Sequence, residues 1–100
     1  MERRNEPRLK ANQPVVVTPI GIIALPPMSG RVLDMSGSGL RLALPNPVPC
    51  GSPLKVENGH MVMVGEVCLC DPGSSGYTVG LTVLHTATVA DEPARAIMGV

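Results

Sequence analysis

Two short stretches hold the residue types from which a ligand site could be built. The first is Asp34-Met35-Ser36-Gly37-Ser38-Gly39, a carboxylate, two hydroxyls and two glycines set between the apolar runs RVL and LRLAL. On a strand, Asp34 and Ser36 project from one face while Met35 turns to the other. The carboxylate and the hydroxyl then stand side by side, acceptors with a single donor between them. Gly37 and Gly39 admit positive φ, or let a ligand lie against bare backbone N–H groups. Taken alone, the hexapeptide favours a plainer reading, a polar corner in which Asp34 and Ser36 cap their own turn.

The second stretch shifts that balance. Arg4-Asn5-Glu6-Pro7-Arg8 places two arginines four apart. A helix would align them, but Pro7 biases Glu6 away from helical geometry and removes an N–H donor. An extended loop is expected instead, free to fold two guanidinium groups around a ligand. Each guanidinium is a planar fork of donors suited to phosphate oxygens or to the O6/N7 edge of guanine. Asp34 complements it, because a carboxylate accepts from the N1–H and N2–H₂ donors on guanine's other edge. The two stretches together specify a ligand with phosphates and guanine.

The elements that must position these groups read as strands. PVVVTPIGII (14–23) is β-branched and interrupted by Pro19, which predicts an edge or bulged strand, and LPPMSG reads as a loop. RVLDMS and GLRLAL are two short strands around the glycine-rich corner, with Leu40, Leu42 and Leu44 alternating with Arg41 and Ala43. The prolines of PNPVPCGSP exclude helix and central strand. Asn58-Gly59 between apolar runs signals a hairpin. In YTVGLTVLHT, Tyr77, Val79, Leu81, Val83 and His85 fall on one side of a strand. The last ten residues, DEPARAIMGV, read as a capped helical turn or two, with Asp91 as N-cap and Pro93 in the first turn. About six short strands in 100 residues predict a small antiparallel barrel or sandwich, and closure into a barrel would remove the edges.

Composition narrows the function. The length suits one domain (1–100), read as an arginine-bearing N-terminal arm over 1–12, flexible by composition, a barrel over 13–88 and a tail or helix over 89–100. Zero formal net charge and a single aromatic residue, Tyr77, argue against a nucleic-acid groove built on stacking and basic charge. There is no P-loop, no nucleophile–base pair and no metal cluster of sensible spacing, so no catalysis, no metal and no cofactor are expected. Cys50, Cys68 and Cys70 lack framework spacing and read as reduced, small apolar fillers. With no signal peptide and no apolar run near 18 residues, a soluble, cytoplasmic chain is expected.

The ordered pair RNEPR and DMSGSG resembles the PilZ domain family, bacterial receptors for cyclic di-GMP that carry RxxxR followed one strand later by [D/N]xSxxG. The resemblance extends over about residues 2–86, through the opening RR, the approach GRVLD and the closing strand YTVGLTV. It implies an all-β fold, a six-stranded antiparallel barrel with a short C-terminal helical segment. It also implies that Arg4 and Arg8 grip phosphate and guanine, that Asp34 and Ser36 hold a guanine base, and that Gly39 keeps the corner tight. Arg3, where family members vary, is read as helping to set whether one ligand or a stacked pair binds. The chain departs from the family at Val83, where Phe is frequent, and at Ser38, where Gly is common. The implied role is a cyclic di-GMP receptor that signals to a downstream protein partner by a conformational change, with homodimerisation left open. The rival is a PilZ-like protein-interaction adaptor that binds no nucleotide.

Overall fold

The computed structural model describes residues 9–21 and 25–88. Six strands run through them: β1 (Pro14–Pro19), β2 (Met28–Ser36), β3 (Gly39–Leu44), β4 (Pro53–Asn58), β5 (Met61–Pro72) and β6 (Tyr77–Thr88). Every neighbouring pair is antiparallel, and the order β1-β2-β3-β6-β5-β4 closes on itself through β4 and β1. Closure gives each strand two partners, so no main-chain edge is left exposed.

The barrel interior follows from strict alternation. Val15 and Val17 of β1, Leu40, Leu42 and Leu44 of β3, and Leu54 and Val56 of β4 all point inward and are buried. Their outward neighbours are polar or small apart from Val16, which is exposed. Met63, Val67, Val79 and Leu81 complete the core from β5 and β6, and no polar or charged side chain is buried among the described residues. Leu9 joins the same core at 5% exposure. It is fastened by a turn in which Asn12 takes φ +69°, its N–H donates to Val32 O at 2.7 Å, and Val32 N–H donates to Gln13 O at 2.9 Å.

Several sequence expectations are refined. β1 is no edge: it pairs with both β2 and β4, and Pro14 and Pro19 sit at its two ends, where a missing ladder donor matters least. Part of LPPMSG is strand, since β2 begins at Met28. Its Gly30 is needed because an added Cβ would lie 2.5 Å from Leu44 Cδ2 and 2.9 Å from Ala43 O. The β4–β5 turn is centred on Gly59-His60, one residue later than Asn58-Gly59 suggests. Asn58 pairs with Met61, Gly59 takes φ +57°, and Asn58 Nδ2 donates to Pro14 O at 2.6 Å. In β6 the inward alternation holds from Val79 to Leu81 and breaks at Leu84, an unpaired bulge residue between Val83 and His85. His85 is therefore exposed and does not share the side of Val79 and Leu81. Cys50 and Cys68 are exposed, so they are not core fillers, whereas half-buried Cys70 packs against the core. The expected helical turn over 91–100 lies outside the described residues, and among the described residues there is no helix.

Candidate functional site

The β2–β3 hairpin displays the DMSGSG stretch. Ser36 pairs with Gly39, which leaves a two-residue loop of Gly37 and Ser38. Gly37 takes φ +58°, the left-handed value that suits the first position of a tight hairpin turn. Gly39 has no positive φ; it lies in the strand, and its missing side chain leaves the surface beside Ser36 bare. Val83 N–H donates to Ser38 O at 2.7 Å, which ties the turn to β6.

One irregularity decides which way Asp34 points. Val32 pairs with Leu42 and Asp34 with Arg41, so Leu33 is an extra, unpaired residue, a β-bulge. Val32 and Leu42 both point into the core. In an unbroken ladder Asp34, two residues after Val32, would point inward as well. The bulge reverses the phase: Met35 packs against the core, while Asp34 and Ser36 face outward. A carboxylate that regular alternation would have buried becomes a surface acceptor.

Register then sets Asp34 directly across from Arg41. Arg41 Nε donates to Asp34 Oδ1 at 3.2 Å and to Oδ2 at 3.0 Å, and Nη2 also donates to Oδ2. Both side chains stay about half exposed, at 54% and 49%. The hydrogen bond from Arg41 holds the Asp34 carboxyl below its ordinary value, outweighing desolvation, and the guanidinium's charge adds a lesser effect in the same direction. Arg41 is raised in turn by the same contact. The site therefore presents a fully ionised, oriented carboxylate next to the Ser36 hydroxyl. Oδ2 accepts two bonds and Oδ1 one, so spare acceptor capacity sits mainly on Oδ1.

Of the predicted site residues, the structure brings Asp34, Ser36 and Gly39 together on one hairpin. Arg3, Arg4 and Arg8 lie outside the described residues. Arg8 is nonetheless bonded to Leu9, which is anchored in the core, and Asn12 is joined to Val32, two residues before Asp34. Sequence reasoning missed Arg41 as a member of the site. The signal was present: in a two-residue hairpin closed by Ser36 and Gly39, residues 35 and 40 face each other, then 34 and 41. Among the described residues no cluster of His, Cys, Asp or Glu could hold a metal ion, and no helix is long and apolar enough to cross a membrane.

Comparison with known proteins bears on these features together. The family model of the PilZ domain matches residues 2–97, nearly the whole chain. No curated protein and no solved structure matches it. With a closed six-stranded barrel, an outward-facing Asp34 and Ser36 on the β2–β3 hairpin, and a family match from end to end, this chain belongs to the PilZ domain family.

Proposed function

We propose that this protein is a cyclic di-GMP receptor in which Asp34 and Ser36 hold a guanine while Arg4 and Arg8 grip the phosphates and the purine. Membership of a family of cyclic di-GMP receptors supports the ligand class. The observation that carries the site is the bulge at Leu33, which takes an ionisable group out of core phase and sets it beside a hydroxyl on the barrel surface.

Arg41 adds a step to the binding reaction. A guanine edge offers two adjacent donors, and Oδ2 of Asp34 is already fully used by Arg41. Ligand capture therefore requires Arg41 to give up or share a bond. An ion pair this exposed, in water and salt, is readily rearranged. The released guanidinium can turn onto a phosphate or a purine face.

Reach supports the arm's part. Leu9, the next residue after Arg8 in the chain, is anchored in the core, and Asn12 bonds to Val32, so the described chain starts beside the strand that carries Asp34. Residues 1–8 hold three arginines and no apolar side chain other than Met1 and Pro7, so the ligand offers them partners that the barrel does not. Binding draws this arm across the hairpin face, and the altered position of a basic, partner-accessible segment is the signal relayed to a downstream protein. Limited trypsin digestion tests the relay. Cleavage after Arg3, Arg4 and Arg8 should slow when cyclic di-GMP saturates the protein. Equal cleavage with and without bound ligand would rule out the arm as the moving part.

A further inference from the structure

The connection from β3 to β4 is stiffened by Pro45, Pro47 and Pro49 and closes in a tight turn. Ser52 N–H donates to Pro49 O at 3.1 Å, and the Ser52 hydroxyl donates to the same oxygen at 2.6 Å. Gly51 takes φ +90°, the value required of the third residue of a type II turn, so Cys50 stands at the corner before it. Val48, two residues earlier, is buried in the core and holds the connection down.

This turn is also fastened to β5. Gly51 N–H donates to Val67 O at 2.7 Å, and Val67 N–H donates to Ser52 O at 2.9 Å. These bonds prolong the antiparallel register in which Pro53 pairs with Glu66. Gly51 and Ser52 together oppose Val67, and the next step sets Cys50 opposite Cys68. Val67 uses both of its main-chain groups, so that next step is a non-hydrogen-bonded position, where opposed Cα atoms come to about 4.5 Å. A disulfide needs Cα atoms about 4.4–6.8 Å apart.

Both thiols are exposed. Cys68 is an extra residue between Val67 and Leu69 in the pairing with β6, and Val67 beside it is buried. Its Sγ rests over the bare backbone of Gly80, 3.6 Å from where a Cβ would stand. Rotation about χ1 is the one movement needed to carry the sulfur from the β6 side of the strand toward Cys50. Cys70, by contrast, packs against the core.

We infer that Cys50 and Cys68 form a redox-responsive dithiol, a modification site that closes into a cross-strand disulfide on meeting a low-molecular-weight disulfide. One protein thiolate attacks a sulfur of the oxidant; the oxidant's S–S bond breaks, a mixed disulfide forms and one thiolate leaves. The second protein thiolate attacks the protein sulfur of that mixed disulfide, which forms the Cys50–Cys68 bond and releases the second thiolate. The two protein thiols give up two electrons and two protons, and the oxidant leaves as two thiols. Without oxidant both cysteines stay reduced. The bond joins the turn to β5 and closes a ring over residues 50–68, which restricts the unfolded chain. This site is independent of the nucleotide reading.

The test equilibrates the full chain with mixtures of reduced and oxidised glutathione, quenches with acid, and reads intact mass and non-reduced tryptic peptides. Trypsin leaves Cys50 on the peptide 42–55 and both Cys68 and Cys70 on 56–95, so Cys70→Ser is treated beside the parent. Both proteins should lose two hydrogens as monomers, with 42–55 linked to 56–95 and no glutathione retained. Cys50→Ser and Cys68→Ser should stop at the mixed disulfide with glutathione. The oxidised parent should melt about 10 °C or more above the reduced one. A Cys70→Ser protein that takes up glutathione without closing the link overturns the pair, as does closure through Cys70 or between two chains. A link that leaves the melting temperature unchanged or lower overturns the preformed geometry, because closing it would have distorted the turn.

Discussion

The two glycines that flank Ser38 look interchangeable in the sequence, yet the structure gives them separate jobs. Gly37 takes φ +58° and has nothing within 4 Å of where a Cβ would stand. Gly37→Ala therefore meets no clash, and its whole effect is the backbone cost of an L-residue in the left-handed region, about 1–2 kcal/mol. For a domain of this size, 1 kcal/mol is worth about 4–8 °C. Gly37→Ala should lower the melting temperature by about 4–16 °C, and Gly37→Asn by less, since Asn tolerates that region. Gly39 has no positive φ, and its added Cβ would sit 3.4 Å from Ser36 O, close to ordinary contact. Gly39→Ala should leave the melting temperature unchanged or slightly raised, because alanine restricts the unfolded chain. Its methyl would stand on the outward face beside Ser36, so it should weaken cyclic di-GMP binding instead. Thermal unfolding followed by circular dichroism, paired with titration of each variant, separates stability from binding. Should Gly39→Ala destabilise the fold more than Gly37→Ala, the assignment of the turn would be wrong.

Arg41→Ala should raise the Asp34 carboxyl back toward its ordinary value, read by carbon NMR of the side chain. Because the folded value is depressed, the pair's contribution to stability is present above the unfolded carboxyl's titration and is lost as pH falls through the folded one. The Arg41 variant should lack that acid-limb loss. Gly65→Ala should cost about 1–3 kcal/mol by overpacking, since its Cβ would fall 2.8 Å from Leu81 Cγ and closer still to Thr82 O; a denaturant midpoint equal to the parent's would contradict the close β5–β6 approach. Arg8→Ala should weaken cyclic di-GMP by about 2–4 kcal/mol if it makes a desolvated, charge-assisted contact, measured by titration. Intact-mass and metal analysis should find the three cysteines reduced and zinc-free; one zinc per chain, or a mass lower by two hydrogens, would show otherwise.

Legibility in the sequence followed the physics of each feature. Alternation in PVVV, GLRLAL and YTVGL is a period-two signal with one buried face, and it located β1, β3 and the first half of β6. Bulges leave no such trace, because an extra residue looks like any other until its partner strand is known. For that reason plain alternation sets His85 on the side of Val79 and Leu81, and Leu33 gives no sign of turning Asp34 outward. Turns were found to within a residue: Gly59 was recognised, but its partner in the loop is His60, not Asn58. The start of β2 was hidden by the prolines and glycine of LPPMSG, since Gly30's need for close approach to Leu44 belongs to tertiary packing. At the site, Asp34 and Ser36 were readable from residue type and spacing. Arg41 became visible only once the loop length fixed the cross-strand register.

The central claim is that the outward face of the β2–β3 hairpin, with the arginines that precede it in the chain, recognises cyclic di-GMP. Calorimetric titration of the parent protein with cyclic di-GMP, alongside GTP and linear pGpG and repeated on Asp34→Ala, addresses it most directly. The account predicts saturable binding of cyclic di-GMP by the parent, much weaker heats with GTP and pGpG, and loss of binding in an Asp34→Ala variant that still melts like the parent. No binding by the parent, or undiminished binding by Asp34→Ala, would contradict it.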